Sequence, residues 1–160
     1  MIRNKILTWF DSIITPREEL GGMSICPYAK LATLSKAYNI QDTTLENIHD
    51  DIQLCDVVKY KVCIFILTDW EVYDVDMLSS ITKKLNESFN SSDKVILDND
   101  PRMPFILNGV TTSFEHSYLW VVQSLSDLNQ KSESLKNTKY YRFWTQEQLD
   151  DVVTWRTLKK

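Results

Sequence analysis

Glycine is scarce: three residues in 160, none of them in a Walker or dinucleotide fingerprint. Loops that cradle phosphate need several neighbouring positions free of side chains, so a phosphate-cradling loop of either type is excluded. Histidine is scarcer still. His49 and His116 are the only two, and neither has a neighbour at His-x-x-x-His or Cys-x-x-Cys spacing, so no zinc site is expected. The cysteines are Cys26, Cys55 and Cys63, an odd number, which argues against a disulfide framework. No apolar run approaches the roughly 18–20 residues of a membrane-crossing helix, and no membrane association is expected. Arg3 and Lys5 near the N-terminus are followed by Asp11 without a long apolar stretch. That segment reads as a helix rather than a signal peptide, and a cytoplasmic location is the expectation.

What is present has globular proportions, with 43% hydrophobic and 25% charged residues and a formal net charge of -4. The charge is unevenly spread. Residues 41 to 100 carry thirteen acids against five bases, and residues 131 to 160 carry seven bases against four acids. The acidic middle argues against nucleic acid as a partner, because affinity for phosphate backbones rests on clustered Lys and Arg. The length fits one domain, 1–160, with residues 140–160 as a C-terminal helical extension.

Hydrophobic spacing predicts a helix over 2–14, with Ile2, Ile6, Phe10, Ile13 and Ile14 on one face and Pro16 beyond it. Thr15-Pro16-Arg17-Glu18 predicts a short turn of helix before the Gly21-Gly22 bend. Pro27 opens a second helix, with Ser24 or Cys26 near its cap and Tyr28, Leu31, Ala32, Leu34 and Ala37 on its buried stripe. A short extended segment at 38–41 precedes a third helix capped by Asp42 or Thr43, carrying Leu45, Ile48, Ile52 and Cys55. The unbroken apolar run Val62–Leu67 suits a strand at the middle of a sheet, buried on both faces. A helix is predicted over 75–89, a strand over 94–97 and an extended segment with an Asn108-Gly109 turn over 103–110. Residues 114–129 place Phe114, Tyr118, Leu119, Val121, Val122, Leu125 and Leu128 in a long helical pattern, with a loop or frayed end over 130–139. Thr145-Gln146-Glu147-Gln148 is a capping-box signature for a last helix with Leu149, Val152, Val153 and Leu158. Together these predict a single layered α/β domain, a central sheet of three to five short strands flanked by about five to six helices.

The segment with the most chemical character is Cys26-Pro27-Tyr28-Ala29-Lys30. A thiol just ahead of a proline-initiated helix meets unsatisfied N–H groups and a positive dipole end, which favour the thiolate, and Lys30 one turn on adds positive charge. The same cysteine also serves as simple packing beneath Trp9 or Phe10. Cys26 and Lys30 are the catalytic candidates, in a thiol-dependent redox or small-ligand-binding domain that takes a small anionic thiol ligand and needs no cofactor. Cys55 and Cys63 are distant in sequence and offer no local resolving thiol. Asp69, Glu71, Asp74 and Asp76 follow the best strand, where a cation could bind, but acids there also favour the next helix through its dipole. Ser113 and His116 lack a nucleophile elbow and read as a capping serine and an interfacial histidine. Tyr140-Tyr141-Arg142-Phe143-Trp144 is an aromatic-basic cluster. Docking of the C-terminal helix explains it, and so does a protein partner held through Tyr141 and Trp144. The alternative function is therefore a non-enzymatic interaction module.

Cys26-Pro27-Tyr28-Ala29-Lys30 resembles the active-site start of glutaredoxins, and Met103-Pro104-Phe105-Ile106-Leu107 resembles their proline-before-strand segment. That resemblance implies a thioredoxin-like site in which Cys26 reacts with glutathione and Pro104, as a cis proline, faces it. Over roughly residues 5 to 125, Trp9, Ile25-Cys26-Pro27-Tyr28-Ala29, the acid-followed strand at 62–67 and the aromatic-aliphatic stretch at 118–122 are also similar in order to a bacterial domain family of unknown function. That family is marked by Leu-Cys-Pro-Phe-Ala. This second likeness implies a shared fold and a role for Cys26 without specifying a reaction.

Overall fold

Apolar runs without alternation must be covered on both sides, and that requirement organises this chain. The computed structural model describes residues 1–157. In it, β1 (Tyr38–Thr43) pairs in parallel with β2 (Val62–Leu67), and β2 is buried at all six positions. Side chains alternate along a strand, so Val62, Ile64 and Ile66 face one core, and Cys63, Phe65 and Leu67 face another. Helix α1 (Ile2–Ile14) and the short α2 (Ala29–Leu34) cover the first face. Helices α3 (Ile48–Leu54) and α4 (Val75–Phe89) cover the second. The result is a three-layer α/β/α arrangement, the single α/β domain expected.

The sheet continues through β3 (Lys94–Asn99), while β4 (Ile106–Leu107) and β5 (Val110–Thr111) form a separate hairpin. Asn108 and Gly109 turn that hairpin at φ 46° and 78°, the left-handed pair such a two-residue turn requires. Trp9 Nε1 donates to Thr112 O at 3.0 Å and so ties α1 to the hairpin. Strand β6 (Leu119–Ser124) then lies antiparallel between β2 and β3, giving the order β1-β2-β6-β3. The helix expected over 114–129 is thus a strand followed by α5 (Leu125–Lys136). Tyr118, Leu119, Trp120 and Val122 are all buried, so both faces of the segment are covered, which a helix with one apolar stripe would not achieve. Of the loop or frayed helix end expected over 130–139, most is the end of α5, which runs to Lys136. Ser124 caps α5 by accepting from Asp127 N–H.

Two smaller differences follow from caps. Asp42 and Thr43 belong to β1 rather than capping α3, whose N-cap is Asn47. Ser113 caps no helix, and its Oγ accepts from Phe105 N–H at 2.6 Å. The C-terminal segment runs through a 3-10 turn (Tyr140–Phe143), α6 (Gln146–Leu149), a π-helical turn (Asp150–Thr154) and α7 (Trp155–Thr157). Thr145 and Gln148 form the expected capping box. Leu158 lies outside the described residues. Among those described, no helix is long and apolar enough to cross a membrane.

Candidate functional site

Cys26 follows a bend that α1 holds in place, because its N–H donates to Ile13 O at 2.8 Å. Ala29 N–H in turn donates to Cys26 O at 3.3 Å, so residues 26–29 form a turn and α2 begins only at Ala29. The helix proposed to open at Pro27 is therefore shorter than its pattern suggests, and Leu31 and Leu34 of its expected buried stripe are exposed. Burial pushes the Cys26 thiol up. Hydrogen bonds from the Ala29 and Tyr28 backbones and the Lys131 charge act in the opposite direction without offsetting it. The expected thiolate is accordingly reversed: a six-residue helix has a small dipole, and desolvation is the larger effect. Lys30 is exposed and is not among the groups acting on the thiol. The cation that does act is Lys131, on α5, whose Nζ also stands 5.3 Å from the Tyr28 ring centroid and 3.2 Å from Asp127 Oδ2.

The two candidate regions that the sequence separates are brought together by the fold. Tyr140 Oη donates to Ile25 O at 2.5 Å, docking the 3-10 turn onto the residue before Cys26. Tyr140, Tyr141 and Trp144 then pack as a triangle, with ring centroids 4.9, 5.3 and 5.8 Å apart. Tyr141 and Trp144 are half-buried, and Trp144 also meets Phe105 edge-on at 5.2 Å. Pro104 is exposed and adjoins this cluster through Phe105. No peptide bond among the described residues is cis.

Behind the tyrosines lies Arg156, only 3% exposed. It donates from Nε to Val152 O at 2.8 Å, from Nη1 to Asn129 Oδ1 at 2.9 Å and from Nη2 to Ser132 Oγ at 2.9 Å. A guanidinium has five N–H donors, and these bonds engage three. No carboxylate pairs with it among the described residues. Burial lowers its pKa, while Tyr141, Tyr28 and Tyr140 act on it from close by. Tyr28 Oη and Trp144 Nε1 are buried atoms with no hydrogen-bond partner among the described residues. Burial holds the Tyr28 and Tyr140 hydroxyls well above the usual phenol range. The assembled site thus has a thiol whose pKa is raised by burial and, among the described residues, a buried cation without a counter-ion and two unpartnered donors.

The other cysteines are closer together than the sequence suggests. Cys55 is the C-cap of α3 and packs against the core cluster that contains Cys63 of β2. The Cys63 thiol is the largest influence on Cys55 and lowers its pKa. Burial opposes that shift, the nearby Lys94 ammonium supports it, and Asp56 opposes it. Lys94, on β3, is buried and donates from Nζ to Ile52 O at 2.7 Å and to Gln53 O at 3.0 Å. The signal in the sequence was a lysine opening an apolar strand, where a charge must find partners.

Elsewhere, Asp74 caps α4, accepting from Asp76 N–H at 2.8 Å and Met77 N–H at 3.3 Å, so the acidic loop serves a helix start. His49 rests on Phe89, and His116 packs against Phe114 beside a shallow cleft of about 290 Å³. Cys26, Tyr28, Lys30, Pro104, Tyr141 and Trp144 do not line that cleft. No family model matches the chain, and no curated protein or solved structure matches it significantly.

Proposed function

We propose that this protein is a binding domain for an anionic group, a carboxylate or phosphate, received at the seam between residues 25–31 and 140–156. The observation that carries the reading is Arg156, a buried guanidinium without a carboxylate among the described residues. Buried charges are ordinarily paired, and leaving one unpaired costs several kcal/mol, about 3–5 when a partner is removed. Tyr28 Oη and Trp144 Nε1 supply further donors, and Lys131 stands at the rim. Cys26 is then a wall of the site. Ligand binding is better supported than thiol catalysis because burial raises the pKa of its thiol.

Thermal unfolding of the full chain with inorganic phosphate, citrate or reduced glutathione tests this. A saturable rise in Tm with at least one of these anions is expected. Tyr28→Phe, which removes a hydroxyl without a partner, should abolish or weaken that rise while the unliganded Tm stays level. An unchanged response in both Tyr28→Phe and Arg156→Gln overturns the reading.

A second reading is that the anion belongs to a protein partner. It is favoured by Leu31 and Leu34 on α2, which are 58% and 72% exposed beside the same seam. The double variant Leu31→Asp, Leu34→Asp separates the two: small-anion binding survives it, and partner binding does not.

A further inference from the structure

Independently of that seam, the opposite face of the sheet carries two thiols and a cation arranged as one chemical unit. Cys63 is fully buried on β2 with its side chain on the α3 side, while Cys55 at the end of α3 is half-buried and packs against the same core. One cysteine is therefore partly exposed to solvent, and the other is sealed in the core. The carbonyl end of a helix repels a thiolate, but Lys94 Nζ occupies two of the last-turn carbonyls, at 2.7 and 3.0 Å, and reverses the local sign. The titratable and charged groups facing Cys55 are Cys63 from β2, Lys94 from β3 and Asp56 from its own loop.

We propose that Cys55 and Cys63 are a peroxide-oxidisable dithiol, in which Cys55 is the attacking sulfur and Cys63 the resolving one. The Cys55 thiolate attacks the O–O bond of hydrogen peroxide, forming an S–O bond and releasing hydroxide, which takes a proton to become water. Cys63 loses its proton and attacks the Cys55 sulfenic sulfur. The S–S bond forms as the S–O bond breaks, and a second water leaves. Two thiols are oxidised, one peroxide is reduced to two waters, and the product ties α3 to β2. The influence of the Cys63 thiol and the Lys94 charge, which favour the thiolate at Cys55 against burial and Asp56, agrees with these roles.

The test treats the full chain with equimolar hydrogen peroxide at neutral pH, blocks free thiols with N-ethylmaleimide and maps peptides by mass spectrometry. A Cys55–Cys63 cross-link within one chain is expected, reversible by dithiothreitol, with Cys26 recovered as its maleimide adduct. In Cys63→Ala, Cys55 sulfenic acid should accumulate and react with dimedone, whereas Cys55→Ala leaves Cys63 unoxidised. Lys94→Met should slow cross-linking by about three- to tenfold and move its pH midpoint upward, with Lys94→Arg restoring both. Oxidation of Cys26 first, a disulfide between chains, or no bond between Cys55 and Cys63 overturns the proposal. Mapping of the unaltered chain decides this even where a variant fails to fold.

Discussion

Cys26 stands ahead of a helix and Cys55 at the end of one, so helix dipoles would favour the thiolate at Cys26 and oppose it at Cys55. The order is reversed. Cys26 has burial working against its ionised form, with only backbone N–H groups and a lysine already paired to Asp127 to counter it. Cys55 has a second thiol in the same core that lowers its pKa, and an ammonium held by carbonyls two and three residues away. A neighbouring thiol and a fixed ammonium outweigh a short helix's dipole, which fades within the first or last turn. The polar groups around the two sites differ in the same sense. On the Cys63 face, Trp120 Nε1 donates to Thr82 Oγ1 at 2.8 Å, and Tyr118 Oη and Thr82 Oγ1 both reach Asp98 Oδ2. On the Cys26 face, a phenol and an indole have no partner among the described residues.

The sharpest challenge to that contrast is to dismantle the completed network. Trp120→Ala should cost about 3–5 kcal/mol in urea unfolding, because a fully buried indole and its hydrogen bond are lost together. A loss below about 1 kcal/mol would mean that this face is no better consolidated than the other. Next in size is the thiol ranking itself. Iodoacetamide should modify Cys55 at least about tenfold faster than Cys26 at neutral pH, followed by peptide mapping.

The pH dependence has a definite sign. Burial raises the folded pKa of Cys26, so its contribution to stability is complete below the ordinary thiol range and is lost as pH rises through the elevated value. Cys26→Ala should therefore flatten the alkaline limb of the Tm profile, and an unaltered limb would discount the burial argument. Tyr140→Phe removes the hydroxyl bonded to Ile25 O and should cost about 1 kcal/mol. The smallest effect is expected from Tyr28→Phe, within about 0.5 kcal/mol in chemical denaturation, since no hydrogen bond is lost. A larger cost would show that its hydroxyl is satisfied after all and weaken the contrast from that side.

Much of the scaffold was legible because it rests on local rules. The helices at 2–14 and 75–89, the central strand 62–67, the Asn108-Gly109 turn and the Thr145–Gln148 capping box each depend on residues within a few positions. Residues 114–129 misled because Tyr118, Leu119, Trp120, Val121 and Val122 are apolar in succession, which satisfies helical and strand spacing alike. Ser124 followed by Asp127 was the available sign that a helix starts later. The sites were less legible. Cys55 and Cys63 share a core only because α3 packs over the sheet, and Arg156 joins Tyr28 through packing across most of the chain. Neither proximity leaves a periodic trace. Lys30 drew notice by spacing along a helix, whereas the lysine acting on Cys26 comes from α5.

The insertion of β6 between β2 and β3 has a consequence for assembly order. Until residues 119–124 are available, the two strands that flank them present unsatisfied main-chain donors and acceptors, and the sheet consists of β1 and β2 alone. A nascent or truncated chain ending near residue 118 would expose a long apolar ribbon edge at β2, the kind of template on which chains join one another. Closing that gap is a late, long-range event, and the rate at which the last interior strand arrives sets how long the chain is vulnerable to aggregation.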